Sequence, residues 1–356
     1  MPAEPTSMYA PNKLMACQSP RLDHPIPYRV MMGGGDKPSR HQTCSHSLEP
    51  YTYIAALPGK NVRDVLLDSF NKWLGVPLAK LEVVKQVVGM LHTASLVVDD
   101  IEDESPTRRG EPSAHVVFGL ARALNAGNYA YFLALERVLA LQSSECVEVF
   151  TREMLNLHRG QGRDIFWRES QYHATEYEYR NMVVDKTGGL FRLAIQMLFA
   201  LSPTLHLASS AARIQLETNL LALSDDLACY FQIRDDFINL ASPKFHKSKG
   251  FCEDITEGKL SFIVLHSLVR LELAQKQELA LILQSKTTAR AQVKRALMLL
   301  HTTGSFDYTQ QYLTTLEQSI SQTVSALGDN KLFTSLLAKL SSELDDCRDV
   351  YNRVIQ

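Results

Sequence analysis

Proline is distributed unevenly along this chain of 356 residues, and its distribution limits the folds that are open to the chain. Seven of the fourteen prolines precede residue 39, whereas only Pro203 and Pro243 follow Pro112. Because proline breaks the interior of a helix, the long proline-free stretches permit long helices. Apolar residues recur there at three- and four-residue spacing, as on one face of a helix, in residues 78–103, 125–141, 149–160 and 209–240.

This periodicity predicts the fold class. No segment alternates apolar and polar residues strictly enough to predict a β-strand, and no glycine-rich nucleotide-binding loop occurs. We therefore predict an all-α fold with a single domain of long helices at residues 48–356. Residues 1–47 lack a periodic apolar pattern and cannot bury enough apolar surface to offset their chain entropy. We therefore predict that these residues form a disordered or weakly ordered N-terminal arm.

Composition and charge exclude several functions. The net charge of -2, from 37 basic and 39 acidic side chains, argues against a protein that binds nucleic acid. No apolar run approaches the roughly 18 residues of a membrane span, and the N-terminus lacks a secretory signal. The N-terminal segment is poor in acidic residues, so a transit peptide is an alternative, although the prolines of this segment oppose an amphipathic helix. The six scattered cysteines favour a reduced, cytoplasmic setting.

An acidic cluster ends the first long apolar pattern. Asp99 and Asp103 lie four residues apart and so face one side of a helix, and His92 falls on the same stripe. Two such carboxylates repel each other unless a cation lies between them, and magnesium commonly takes one or two carboxylates plus substrate phosphates. The alternative is a solvated acidic helix end, although the helix macrodipole disfavours acid at a C-terminus. Asp100 points away from the stripe and is the weaker candidate ligand.

Two adjacent arginines, Arg108 and Arg109, follow this cluster. Arginine is always charged and presents a forked set of donors, so both residues are suited to bind phosphate beside a metal. The alternative is that they pair with the nearby carboxylates of Glu102 and Glu104.

A second polar cluster lies on a later apolar helix pattern. Its members stand at i, i+3, i+4 and i+7, so we expect them to share a helix face; they are Gln232, Asp235, Asp236 and Asn239. Polar groups on an apolar helix are costly to bury unless something satisfies them, and a second metal site would do so. Downstream, Lys249 and Lys259 could reach metal-bound phosphates, although a surface loop of mixed charge is the alternative.

Together these motifs resemble the trans-prenyltransferases, specifically eukaryotic geranylgeranyl diphosphate synthases. The similar motifs are D-D-x-x-D followed by S-P-x-R-R-G at residues 99–110, and F-Q-I-R-D-D-x-x-N at residues 231–239. Further similar segments, in the same order, lie at residues 49–53, 57–63, 158–162, 185–189 and 249–259. The resemblance implies the isoprenoid synthase fold, in which helices surround a central cavity, and a homodimer.

The resemblance also implies a role for each matching residue. The diphosphate of isopentenyl diphosphate would be held by Lys60, Arg63, His92 and Arg109. Magnesium, as three ions with substrate bound, would be held by Asp99, Asp103 and Asp235, which with Arg108 and Lys186 form the catalytic set. The allylic diphosphate would be surrounded by Arg108, Lys186, Thr187, Gln232, Asn239, Lys249 and Lys259. Asn239 stands where many members of the broader superfamily carry a third aspartate, but its amide can still bind magnesium or phosphate.

Product length depends on what closes the cavity below Asp99. Ala94 and Ser95 are small, which disfavours a farnesyl-length stop, so we expect geranylgeranyl diphosphate as the main product. Tyr131 and Phe132 are candidates for the cavity floor, the alternative being ordinary core aromatics.

The rival functions are a farnesyl or longer-chain synthase, a class I terpene cyclase and a non-catalytic partner subunit. A cyclase would carry an N-D-x-x-S-x-x-x-E site, which is absent, and a non-catalytic subunit should have lost metal ligands.

Overall fold

The computed structural model describes residues 46–59, 62–170, 172–205, 209–241 and 252–354, with the backbone alone described from residue 345. Fifteen helices and two short strands lie within these residues, so the predicted all-α fold is confirmed. The helices are α1 Glu49–Ala56, α2 Val62–Leu74, α3 Leu78–Glu102, α4 Ala114–Phe118, α5 Leu120–Leu139, α6 Ser144–Ser170, α7 Glu176–Lys186, α8 Gly188–Leu201, α9 Ser210–Ala241, α10 Glu253–Thr256, α11 Phe262–Arg270, α12 Leu273–Gln284, α13 Arg290–Thr302, α14 Ser305–Leu327 and α15 Lys331–Val354.

Helix α3 follows directly from the apolar spacing of its sequence. Leu81, Val84, Val88 and Leu91 are buried and pack against α5 and α8. By length and hydropathy alone α3 could also cross a membrane. That is weak evidence, because a core helix of a soluble protein passes the same test, and 44% of its most apolar window is buried inside the protein.

Helix α8 lies at the centre of the bundle. Leu193, Ile195, Met197 and Leu198 on successive faces of this helix are all fully buried, and a helix that is apolar all round belongs in the core. It packs against α3, α6 and α9. These three surrounding helices carry the acidic clusters and several of their partners, so the central packing of α8 fixes the frame of the site.

A short hairpin follows α3. Strands β1 Thr107–Arg108 and β2 Glu111–Pro112 pair antiparallel, and the two turn residues, Arg109 and Gly110, have φ of 57° and 86°. Two consecutive positive φ angles are typical of the tight turns that join hairpin strands. Strands of two residues are too short to show alternation in the sequence, which is why no strand was predicted. The hairpin places the two adjacent arginines beside the end of α3.

The predicted boundary between the arm and the helical domain stays a prediction. Residues 1–45 lie outside the described residues. The described residues belong to one compact unit, in which α14 and α15 pack on α9.

Candidate active site

The first acidic cluster occupies the last turn of α3. Asp99 lies within that turn and Asp103 caps it, with the Asp103 amide donating to the Asp99 carbonyl at 2.8 Å. Burial and the neighbouring Asp99 carboxylate raise the pKa of Asp103. Burial also opposes ionisation of Asp99, but Lys186 and Arg108 outweigh it and lower the pKa of Asp99. Two carboxylates that repel each other beside cations are the arrangement expected of a site for a metal and a phosphate.

Helix α6 supplies two polar partners of this cluster that were not predicted from the sequence as site residues. Gln161 Nε2 donates to Asp99 Oδ1 at 3.2 Å, and Arg168 Nη1 donates to Asp103 Oδ1 at 2.5 Å. With Asp164 they stand at i, i+3 and i+7, so they share one face of α6. This spacing indicates in the sequence that the three residues share a face, but not which residues they contact.

Lys186 ends α7, and its side chain reaches the first acidic cluster. Its Nζ donates to Asp164 Oδ2 at 2.5 Å and lies 3.8 Å from Asp99 Oδ1. Burial alone would lower the pKa of Lys186, but the carboxylates of Asp164 and Asp99 raise it above its ordinary value. The ammonium group therefore stays charged in the buried site. Asp164 was missed in the sequence because no other acidic residue lies within four positions of it.

Arg108 is oriented by Asp100. Asp100 is fully buried, and Arg108 Nε donates to its Oδ1 at 2.7 Å, with Nη2 contacting the same oxygen. Nη2 also lies 3.5 Å from Asp99 Oδ2. The geometry agrees with the expectation that Asp100 turns away from the stripe of Asp99 and Asp103. Arg108 therefore pairs with Asp100 and not with the nearby glutamates that were the alternative.

The second cluster is a hydrogen-bonded network around the buried carboxylate of Asp236. The Tyr179 hydroxyl donates to Asp236 Oδ2 at 2.8 Å, and Gln232 Nε2 donates to Oδ1 at 3.0 Å. Lys259 Nζ donates to the same oxygen at 2.7 Å, and Thr187 Oγ1 donates to Gln232 Oε1 at 2.9 Å. The network brings together Thr187, Gln232 and Lys259, as predicted. It also satisfies the buried carboxylate of Asp236 through protein partners.

Two residues of this cluster differ from each other in burial and in contacts. The Asp235 side chain is 58% exposed and lies 3.5 Å from Arg234 Nη1. Asn239 is buried, and its Oδ1 accepts a hydrogen bond from the amide of Asp254 at 3.2 Å. Asp236 and Asn239 are thus buried whereas Asp235 lies at the solvent edge, although their spacing places all four residues on one face of α9. The metal role of Asp235 stays a prediction.

A second group near Asp99 contains the cations Arg63 and Arg109 together with His92. Burial, followed by the charges of Arg63, Arg109 and Arg108, lowers the pKa of His92 to about 3, so its imidazole is neutral near pH 7. Burial and the neighbouring Arg108 also lower the pKa of Arg109. An anion between these groups would relieve their mutual repulsion, which fits the predicted diphosphate site. The remaining predicted contacts, Lys60 and Lys249, lie outside the described residues.

The two candidates for the cavity floor differ in position. Tyr131 is partly buried, its ring lies edge-on to His158 with 5.8 Å between centroids, and burial followed by the charges of Glu102 and Asp99 raises its pKa. Phe132 is 69% exposed, so the prediction that it closes the cavity is wrong for the single chain. Adjacent residues on a helix are about 100° apart, so only one of the two can face the site.

Comparison with known proteins identifies the family. Residues 45–300 match the family described as polyprenyl synthetase. The chain belongs to the polyprenyl synthetase family. This chain is also 47% identical over 267 residues to a geranylgeranyl pyrophosphate synthase of Hypoxylon pulicicidum, covering 75% of this chain and 66% of that protein.

Two further relatives of this polyprenyl synthetase differ in the share of their own length that matches this chain. A geranylgeranyl pyrophosphate synthase of Dictyostelium discoideum is 40% identical over 295 residues, 83% of this chain and 93% of that protein. A copalyl diphosphate synthase of Talaromyces verruculosus is 39% identical over 342 residues, which is 90% of this chain but 34% of that protein. The resemblance inferred from the motifs is thus confirmed.

The donor set of this polyprenyl synthetase fits magnesium. Among the described residues, no group of three or more His, Cys, Asp or Glu is arranged to hold a metal ion by itself. Magnesium seldom needs such a cage, because it usually takes one or two carboxylates and completes its shell with water and substrate phosphates. The hard oxygens of Asp99 and Asp103, beside two cationic groups, meet that requirement. The family is magnesium-dependent in general.

Proposed function

We propose that this chain condenses isopentenyl diphosphate with dimethylallyl, geranyl and farnesyl diphosphates, and that geranylgeranyl diphosphate is its main product. The family uses isopentenyl and allylic diphosphates, and relatives over most of this chain are named geranylgeranyl pyrophosphate synthases. One observation carries the proposal. Two sets of cationic side chains lie near the acidic clusters: the charges of Arg63 and Arg109 act on His92, whereas Lys186 and Lys259 pair with Asp164 and Asp236. Two sites for diphosphate are needed for condensation, whereas a cyclase needs one.

The reaction begins at the allylic diphosphate. Arg108, Lys186 and Lys259 would hold its oxygens and stabilise the charge that develops as the C–O bond breaks, an electrostatic effect that is strongest in a site already arranged for it. Asp99, Asp103 and Asp235 would hold magnesium, which we propose as three ions and which supplies Lewis-acid neutralisation of the same charge. Asp164 keeps the Lys186 ammonium pointed at the site through their 2.5 Å contact.

Isopentenyl diphosphate, the second substrate, would bind at a separate group of residues. Arg63 and Arg109 would bind the isopentenyl diphosphate, and the neutral His92 can donate one further hydrogen bond without adding charge. The double bond of isopentenyl diphosphate attacks the allylic carbon, a C–C bond forms, and a proton leaves the adjacent carbon. We assign that proton to the departing diphosphate.

Product length would be limited by Tyr131. Ala94 is fully buried and small, so it leaves room for a growing chain below Asp99. A Cβ on Gly127 of α5 would lie 2.7 Å from Val98 Cγ2 and 3.6 Å from the Ala94 carbonyl oxygen, so α5 approaches α3 closely at this depth. A farnesyl product would require a larger residue at Ala94 or Ser95.

We also propose a homodimer in the cytoplasm. Leu120, Leu124 and Phe132 form an exposed apolar row along α5 at multiples of four residues, and a contiguous exposed apolar surface is typical of a protein interface. Light scattering after size exclusion should give a dimer, and Leu124→Glu should give a monomer. Leu281→Glu, at an exposed leucine of α12, is the matched control and should stay dimeric. A monomeric wild type would contradict the proposal.

One incubation tests the proposed activity. Purified protein receives labelled isopentenyl diphosphate and each allylic diphosphate in turn, with magnesium or with EDTA, and the products are dephosphorylated and separated by chain length. We expect a C20 product only with magnesium. Lack of elongation would overturn the enzyme assignment, a C15 or longer main product would change the product assignment, and hydrocarbon without isopentenyl diphosphate would indicate a cyclase.

A further inference from the structure

The junction between α7 and α8 is held by a residue that lies outside the substrate site. Lys186 is the last residue of α7 and Gly188 is the first of α8, so only Thr187 separates the two helices. Lys186 and Thr187 both contribute to the allylic side of the site. Their positions therefore depend on whatever fixes this one-residue junction.

Arg192, one turn into α8, binds the junction with its whole guanidinium group. Its Nη1 donates to the Val184 carbonyl at 2.7 Å and lies 3.1 Å from Asp225 Oδ1. Its Nε donates to Glu153 Oε2 at 3.1 Å, and Nη2 lies 3.8 Å from Asp185 Oδ1. The last carbonyls of a helix lack partners within that helix. Arg192 thus supplies a partner at the end of α7 and ties it to α6 and α9.

The backbone around Arg192 leaves room for this group and little else. A Cβ on Gly188 would lie 3.0 Å from Arg192 Nη1 and 3.2 Å from the Ala228 Cβ. A Cβ on Gly189 would lie 2.8 Å from Leu157 Cγ. The two glycines allow α8 to start against α6 and α9 at the distance that the guanidinium group spans. The contacts of Arg192 are consequently those of a fixed position rather than of a mobile surface side chain.

The burial of these charges is costly. Arg192 and Glu153 are both buried, and a buried ion pair often stabilises a protein no more than a well-packed apolar pair of similar volume. A role in general stability is therefore a poor account of this cluster. A role in geometry explains it better, because the planar fork of arginine can fix several acceptors at once and lysine cannot.

We propose that Arg192 is a positioning residue for the allylic half of the site, acting through Lys186 and Thr187. The inference rests on the proposed function, in which these two residues bind the allylic diphosphate. Arg192 holds the end of α7 so that the Lys186 ammonium and the Thr187 hydroxyl are in place before substrate arrives. The other half of the site, with Arg63 and Arg109, is built on α2 and the hairpin, and none of the Arg192 contacts given above reaches these elements.

The test compares Arg192→Met, Arg192→Lys and Glu153→Gln with wild type. Arg180→Met is the matched control, because Arg180 also joins α7 to α9, through Asp226 at 2.8 Å. We expect Arg192→Met to lower kcat/KM for farnesyl diphosphate about 100-fold, as expected for a misplacement near 1 Å, with KM for isopentenyl diphosphate within about twofold of wild type. Arg192→Lys should recover part of the loss, and Arg180→Met should lose little.

A second measurement does not depend on activity. Hydrogen–deuterium exchange of the amides at residues 183–190 should be faster in Arg192→Met than in wild type, and unchanged there in Arg180→Met. Unchanged exchange at the junction would overturn the proposal. So would a loss of kcat/KM that is equal for both substrates and proportional to the loss of folded protein. Faster exchange in a protein whose wild type does not elongate would overturn the proposed function and leave Arg192 as the clamp of this junction.

Discussion

Gly160 offers the sharpest test of how the site is built. It lies on α6 where α6 meets the end of α7, and a Cβ at this position would be 2.3 Å from the Lys186 amide nitrogen, 2.7 Å from its Cα and 2.9 Å from the Asp185 carbonyl carbon. All three are backbone atoms, so no side chain can rotate away. Ordinary contact begins at 3.4 Å, and Gly160→Ala must therefore separate the two helices by about 1 Å.

This separation moves Lys186 away from Asp99 and Asp164. Overpacking of this kind destabilises a protein by about 1–3 kcal/mol, and a misplacement of about 1 Å at a reacting group reduces the rate about 100-fold. We expect Gly160→Ala to remain folded with a lower melting temperature and to lose about two orders of magnitude in kcat/KM for the allylic substrate. Steady-state kinetics and calorimetry measure the two effects.

Gly162 provides the control on the same helix. A Cβ there meets nothing within 4 Å, so Gly162→Ala should be active and more stable by about 0.5–1 kcal/mol, since alanine favours the helix more than glycine. Equal kinetics for Gly160→Ala and Gly162→Ala would refute the reasoning, because the close approach of α6 to Lys186 would then have no bearing on catalysis.

Two further predictions concern pH and product length. The pKa of His92 is about 3 in the folded protein, below its ordinary value of 6.5, so between these values the unfolded chain binds a proton that the folded chain does not. Stability should therefore fall as the pH drops through this window, and less in His92→Gln, as measured by urea unfolding; equal acid sensitivity of the two proteins would contradict this. Tyr131→Ala should lengthen the product and Phe132→Ala should not, as judged by chromatography. The opposite result would place Phe132 in the cavity.

Periodic features of the sequence predicted most of the fold. Apolar spacing and the scarcity of proline identified α3, α5, α6 and α9, because helical geometry maps sequence distance directly onto helix faces. The spacing of Asp99 and Asp103, and the opposite orientation of Asp100, followed from the same rule. These relations are local, within one or two helical turns.

The parts of the site that escaped prediction depend on contacts between distant segments. Asp164 and Arg168 acquire their importance from Lys186 and Asp103, which lie on other helices and cannot be paired from spacing alone. Phe132 and Tyr131 have the same character in the sequence, and only the packing of α5 separates the exposed residue from the partly buried one.

The pairing of charges in the site has a consequence for how each half is filled. On the allylic side the described cations Arg108, Lys186 and Lys259 already lie against carboxylates of Asp100, Asp164 and Asp236, and Asp99 adds a further negative charge. A bare diphosphate entering there would meet a pocket whose positive charge is already balanced, so it must arrive with its own counterions. At the proposed isopentenyl diphosphate site, Arg63 and Arg109 repel each other and can accept an uncomplexed anion. The concentration of free magnesium would thus govern the occupancy of one half of the pocket and leave the other half nearly unaffected.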